Sequence, residues 1–401
     1  MSKLYERLTS SNAGLLPETL LLKYEAMAEN AFRFYRGTCG LFYQDLAQFK
    51  TMPSSPPAWI CGDLHLENFG SYRGNNKLVY FDLNDFDEAL LAPAAYEIVR
   101  LATSIFIAFE SLKIEPDRAA NMARLLIKSY AATLAKGKAY SIEPRTAKGI
   151  VWNFLETAQN SKPSDLLDKR TERRKHKLVL SLKNERHFEI DKKLKAELTA
   201  HIGNWIENNS DSPYNYKVKS AVFRLAGTGS IGVKRYLFLL KSTNTRNKYL
   251  LIDMKQSKSS TVLPAIKLAQ PAWSNEAERI ISVQGRMQYI TPMLLSTTDF
   301  RGDSYVIQEL QPVKDSINFK MIRDDYRDLY RVIDDMGMLT ASSQLRSGGI
   351  QGSANIDELM SFGLADDWQQ PLLDYCFKYS KKVHQYYEQY LKEYRSRKYH
   401  K

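Results

Sequence analysis

Two short stretches of the chain carry residue types and spacings that suit phosphoryl transfer. The first reads Gly62-Asp63-Leu64-His65-Leu66-Glu67-Asn68 and is followed by Asp82, Asp85 and Asp87. Kinase-like sites use an aspartate to accept a hydroxyl proton, an asparagine five positions later to bind Mg²⁺, and a further aspartate beyond the next strand to bridge Mg²⁺ to the phosphates. Asp63 and Asn68 keep that spacing, and Asp82 falls where a hairpin leaving Asn68 would return to the same pocket. Asp63 is therefore expected to be a catalytic base, with Asn68 and either Asp82 or Asp85 as metal ligands. The plainer alternative makes Asp63 and Asn68 turn formers and LNDFDE an acidic loop or helix cap. His65 is expected to orient the loop or to sit near the phosphates, although a lone loop histidine is more often structural.

The second stretch, Gly227-Thr228-Gly229-Ser230-Ile231-Gly232, fits the pattern GxGxxG. A dinucleotide-binding fold would place a helix directly after these glycines. Strand-like VKRYLFLL follows instead. Strand, glycine turn, strand is the geometry of a loop that covers phosphates, where missing Cβ atoms let backbone N–H groups approach a triphosphate. Lys255, ending the apolar run YLLIDMK, takes the place of the lysine that grips the α and β phosphates, with Lys234 and Lys258 as competitors. Glu276, Glu278 or Gln284 on the following helix could pair with it. Glu309 and Leu310, in VIQELQP, would lie at a hinge whose backbone groups hydrogen-bond adenine.

The elements that must hold these residues can be read from periodicity. Residues 18–48 read as helix, ended by the proline-rich TMPSSPPA. AWIC and KLVYFDLNDF read as strands separated by the loop GDLHLENFGSYRGNN. Apolar spacing predicts helices over 94–112 and 117–136. A three-stranded meander is predicted from about 215, then a helix over 274–288, a strand in YVIQELQP, and helices from 320 to 394 broken by glycine and serine at 347–353. The expected class is α+β, a two-lobed kinase-like fold with a small antiparallel β lobe and a larger helical one. The expected divisions are 1–215 (helical lobe with the catalytic and metal-binding loops), 216–315 (nucleotide-binding β lobe) and 316–401 (helices completing the helical lobe).

The chain has 401 residues and a net charge of +12, with 57 Lys and Arg against 45 Asp and Glu, which suits a phosphate-bearing partner such as ATP without choosing it. No apolar run of about 18 residues or signal-peptide core is present, so a cytoplasmic chain without a membrane span is expected. Three scattered cysteines make neither a disulfide framework nor a zinc cage. The basic run KRTERRKHK at 169–177 is expected to be a solvated helix face or tail; it has no interleaved aromatic residues, which argues against a nucleic-acid-binding module.

The segments FRFYRGTCGLFYQDLA, CGDLHLENFG, YFDLNDFDEALLAPAAYEIVRLATS, RLAGTGSIGVKRY, LLIDMKQS, RIISVQGRMQ and YVIQELQPVKD resemble the bacterial family known as domain of unknown function 2252. That family looks related to aminoglycoside and choline phosphotransferases. The resemblance spans about 30 to 390 and implies a kinase-like enzyme using ATP and Mg²⁺ on a small-molecule or protein acceptor. It further implies a circular permutation, because the glycine loop and lysine follow the catalytic loop instead of preceding it. By the same resemblance Arg36, from FYRG, faces the site. The chain departs from the family where AHARSG is replaced by SSQLRSGG, so that Gln344 stands in place of a histidine. That departure leaves open a nucleotide-binding regulator without transfer activity, and transfer of AMP is a further alternative.

Overall fold

The computed structural model describes residues 3–209, 212–227, 231–311, 316–396 and 399. The chain starts with α1 (Lys3–Ser11), α2 (Pro17–Ala28), α3 (Ala31–Gly37) and α4 (Cys39–Ala47). Four short strands come next: β1 (Pro57–Ile60), β2 (Phe69–Arg73), β3 (Val79–Leu83) and β4 (Leu90–Pro93). After them come α5 (Ala95–Ser111), α6 (Pro116–Ala135), α7 (Gly149–Asn160), α8 (Pro163–Arg170), β5 (Thr171–Arg174), β6 (Lys177–Leu180), β7 (His187–Phe188) and α9 (Lys192–Asn208). The meander β8 (Tyr216–Arg224), β9 (Arg235–Ser242) and β10 (Tyr249–Gln256) leads to α10 (Glu276–Met287), β11 (Ser296–Phe300) and β12 (Asp303–Glu309). The chain closes with α11 (Phe319–Ile322), α12 (Tyr326–Arg346), α13 (Ile356–Leu364) and α14 (Gln369–Arg395). The class is α+β, as the sequence suggests.

The helical body is built around α5, which is buried on every side, with Ile98, Leu101 and Ile105 fully enclosed alongside the charged Glu97 and Arg100. It packs against α3, α6 and α14. Helix α6 lies against α12 so closely that a Cβ on Gly337 would stand 2.6 Å from the Leu126 carbonyl oxygen. The helix expected over 18–48 is three helices, because Asn30 accepts the Arg33 N–H as an N-cap and starts a new one.

The sheet has the order β11-β12-β10-β9-β8-β7, antiparallel throughout. Alternation along its strands makes two apolar faces. One carries Phe238, Ile252 and Ile307 against Leu198, Ile202 and Trp205 of α9, and the other carries Leu237, Leu239 and Leu251 with Leu180 of β6. The structure therefore redraws a boundary placed at 215. Residues from α8 through α9 belong with the sheet, since the spacing of Leu198, Ile202 and Ile206 gives α9 one apolar stripe and that stripe covers β8. The basic run at 169–177 is the last turn of α8 and the β5–β6 hairpin, not a helix face or tail. Strand β2 lies within the segment read as a loop; it pairs with β3, while β1 pairs with β4.

Candidate functional site

The loop after β1 is shaped by constraints on three sides. Gly62 has φ +81°, and a Cβ there would sit 2.4 Å from the Glu88 carbonyl oxygen, so only glycine fits. Its own carbonyl accepts the Tyr43 hydroxyl at 2.6 Å. The Cys61 N–H donates to Glu97 Oε2 at 2.6 Å, and burial pushes the Glu97 carboxyl up to about 8 against these backbone donors.

Asp63 emerges from this turn and is held by a buried cation. Arg100 Nε donates to Asp63 Oδ1 at 2.9 Å, and Arg100 Nη2 bonds the same oxygen. The guanidinium is fully enclosed, with the rings of Tyr35 and Phe42 4.4 and 5.0 Å from its carbon. Burial alone would favour its neutral form, but Asp63 together with Cys39, Tyr35 and Tyr43 outweighs this and the group is pushed well above its usual range. Asn68 closes the loop, its Nδ2 donating to the Asp63 carbonyl at 2.7 Å. That bond consumes the amide nitrogen, so the oxygen is the atom available to a cation.

His65 lies behind Arg36 and is absent from the cavity lining. It is buried, with Nε2 3.1 Å from Arg36 Nε and Nδ1 3.2 Å from the Glu67 backbone nitrogen. Burial, Arg36 and Arg100 all push its pKa well below the usual range, so the ring is neutral and braces Arg36. Arg36 also pairs with Glu67, and both line the cavity described next.

A cavity of about 420 Å³ opens between this loop and the sheet. Its walls include Arg36, Asn68 and Asp85 on one side and Gly227, Lys255, Glu309 and Leu310 on the other. The two motifs, far apart in the chain, thus face one space. Gly232 and Ile231 continue the glycine turn, and Gly232 receives the Leu16 N–H on its carbonyl at 2.8 Å. Thr228, Gly229 and Ser230 lie outside the described residues.

Asp82 and Asp85 are sorted by their surroundings. Asp82 is enclosed at the end of β3, where Oδ2 pairs with Arg346 Nη2 at 3.1 Å and Oδ1 accepts the Leu83 N–H. Asp85 lies in the cavity wall, 4.0 Å from Lys255 Nζ, and nearly half of its side chain is exposed. Its recessed position and neighbouring Asp87 push its pKa up, while Lys255 acts in the opposite direction.

Lys255 forms its ion pair with Asp87. The helix residues expected to hold it are engaged elsewhere: Glu276 pairs with Arg279, Glu278 accepts from Ser274, and Gln284 donates to Gln288. The competing lysines are also placed, Lys234 on Asp303 and Lys258 with its carbonyl on Arg279. At the end of β12, the Leu310 N–H already donates to Leu251 O at 2.9 Å, and the Glu309 N–H to Met293 O at 3.4 Å.

Several residues without an assigned role in the sequence reading shape the same space. Glu88 accepts from Ser260 and Thr261, and Arg279 donates to the carbonyls of Asp87, Ala89 and Lys258, so the acidic loop is tied to the sheet side. Arg224 and Arg235 both reach the cavity and share Asp253. Burial would raise the Asp253 pKa, but Arg235 and Arg224 hold it down at about 2. A signal for this pair was present: Arg224 and Arg235 stand three residues outside Gly227 and Gly232, positions that a hairpin brings face to face.

Residues 15–393 match a protein family described as uncharacterized protein conserved in bacteria, DUF2252. The chain belongs to that family. No curated protein and no solved structure matches it. The family resemblance had raised a doubt at Gln344, where a histidine is expected. Gln344 is enclosed in the helical body, accepting from Tyr130 at 2.5 Å and donating to Ala94 O at 3.2 Å. It does not line the cavity, whereas Arg346, two residues on, reaches Asp82.

Proposed function

We propose that this DUF2252 protein is a kinase-like phosphotransferase that uses ATP and Mg²⁺, with a permuted order of its catalytic and nucleotide-binding segments. The observation that carries the reading is the shared cavity, in which Asn68 and Asp85 face Gly227 and Lys255. The lysine stands on the third strand of the meander, after a glycine turn and before a helix, the order that protein kinases use. The volume also falls in the range of small-ligand sites, about 300–1,000 Å³.

Among the described residues, no group of three or more His, Cys, Asp or Glu converges on a metal. Mg²⁺ commonly takes only one or two protein carboxylates and completes its shell with phosphates and water. Asp85 and the Asn68 amide oxygen would hold it, and Mg²⁺ would there offset the negative charge of the phosphates.

In the proposed reaction an acceptor hydroxyl forms a new O–P bond to the γ-phosphorus while the bond to the β,γ-bridging oxygen breaks and ADP leaves. The hydroxyl proton passes to Asp63, whose Oδ1 is occupied by Arg100 and whose Oδ2 would accept it. Arg100 fixes the carboxylate, and Lys255 leaves Asp87 to grip the phosphates. Such a reaction belongs in the cytoplasm, where ATP is held; no helix among the described residues is long and apolar enough to cross a membrane.

A second reading is nucleotide binding without transfer, favoured by the tight engagement of Asp63 with Arg100. Calorimetry with Mg-ATP and labelled-ATP turnover over metabolite and protein pools test both. Transfer that requires Mg²⁺ and is lost in Asp63→Asn supports the enzyme; binding without consumption supports the regulator; and no binding removes both. Mass spectrometry of the products separates phosphate from AMP transfer.

A further inference from the structure

We infer that Arg224 and Arg235 form, with Arg186, a second anion subsite in this cavity, built to take a phosphate group that Lys255 does not hold. The inference deepens the phosphotransferase reading, although the subsite could bind phosphate whether or not transfer occurs.

The sheet register creates a row of cations. Lys255 is paired with Arg235 across β10 and β9, and the pairing Phe223 with Tyr236 puts Arg224 opposite Arg235 across β9 and β8. Three cationic side chains therefore stand on one face of three neighbouring strands, about 4.8 Å apart from strand to strand. Beyond β8, the Leu225 N–H bonds the Arg186 carbonyl at 2.9 Å, which brings Arg186 to the end of the row. All four cations line the cavity.

Charge differs along this row. Lys255 faces two carboxylates, Asp85 and Asp87. Arg224 and Arg235 share a single ion-pair partner, Asp253, while Asp87 and Asp85 also act on Arg235. The nitrogen Nε of Arg224 is buried and lacks a hydrogen-bond partner. Buried donors are normally paired, and an unpaired guanidinium N–H costs stability until an acceptor arrives. Asp253 meanwhile fixes both guanidiniums, so an incoming anion meets donors already ordered.

A planar guanidinium pair recognises phosphate oxygens by bidentate hydrogen bonds. The phosphate could be the terminal group of the nucleotide, lying across the strands away from the hinge at Glu309 and Leu310, or could belong to the acceptor. The two sources predict different competition.

The test is calorimetry of the full chain with pyrophosphate as probe, on wild type, Arg186→Gln and Arg224→Gln, with circular dichroism as the folding check. Pyrophosphate should bind wild type, and each substitution should weaken it by about tenfold, the loss of one charge-assisted hydrogen bond. Arg186 is exposed, so its variant keeps the fold even if Arg224→Gln does not. Wild type that ignores pyrophosphate, or an Arg186→Gln protein that binds it unchanged, overturns the subsite. Pyrophosphate binding with wild-type affinity to protein saturated with a non-hydrolysable ATP analogue assigns the subsite to a second ligand; competition assigns it to the nucleotide. If ATP turnover is absent while the arginine effect persists, the phosphotransferase reading fails and the subsite stands. ATP binding that depends on Lys255 but not on these arginines gives the reverse.

Discussion

The two walls of the cavity treat their charges in opposite ways. On the helical side two carboxylates, neither of them in the cavity lining, each meet one arginine: Asp63 meets Arg100, and Asp82 meets Arg346. On the sheet side two arginines divide one aspartate. The first arrangement locks an acid in a chosen direction, because removing either partner leaves an uncompensated charge in a dry site. The second orders two guanidiniums on one acid. On the phosphotransferase reading, the helical wall would position a carboxylate and the sheet wall would attract an anion.

The largest expected effect tests the positioning role. Asp63→Asn should lower any phosphotransfer rate by about 10²–10⁴-fold, the usual contribution of a general base, while Mg-ATP affinity in calorimetry changes little. An equal fall in affinity would mean that Asp63 serves binding and that the two walls are not divided by role.

Asp82 should then separate from Asp85. Asp82→Ala breaks a buried pair and should cost about 3–5 kcal/mol in denaturant unfolding. Asp85→Ala, at a partly exposed position, should change stability by less than about 1 kcal/mol yet raise the Mg²⁺ concentration needed for ATP binding by about tenfold. A metal requirement that follows Asp82 instead would move the cation site to β3.

A further effect concerns Glu97, beneath the Gly62–Asn68 loop. Its carboxyl titrates at about 8 in the folded chain against an ordinary 4.5. The folded chain keeps a proton that the unfolded chain releases, so stability from this group falls as pH rises from about 4.5 to 8. Glu97→Gln cannot ionise and should flatten that part of the stability profile, measured by thermal unfolding across pH. A profile that keeps its slope would show that the loop is not anchored on a neutral acid.

Much of this architecture was legible in the chain. The helices α5 and α6 and the meander β8–β10 follow from periodicity, since buried faces must repeat with the element that carries them. The spacing of Asp63 and Asn68 and the glycine pattern near 227 marked two segments that the fold brings to one cavity. Strand β2 escaped because FGSYR lacks the alternation of a half-buried strand: four of its five residues are buried, and it reads as part of a loop. The packing of α9 against β8 was not legible, because an amphipathic stripe states that it must be covered and not by what.

What the sequence determined by itself was local: the periodic helices and the meander, and the presence of carboxylate, amide and lysine types at their spacings. The tertiary structure decided the pairings, which depend on distances between residues far apart in the chain. It gave Asp82 to Arg346, Lys255 to Asp85 and Asp87 instead of a helix glutamate, and Asp253 to two arginines. A charged side chain has no preferred partner until folding removes water and leaves it one within reach.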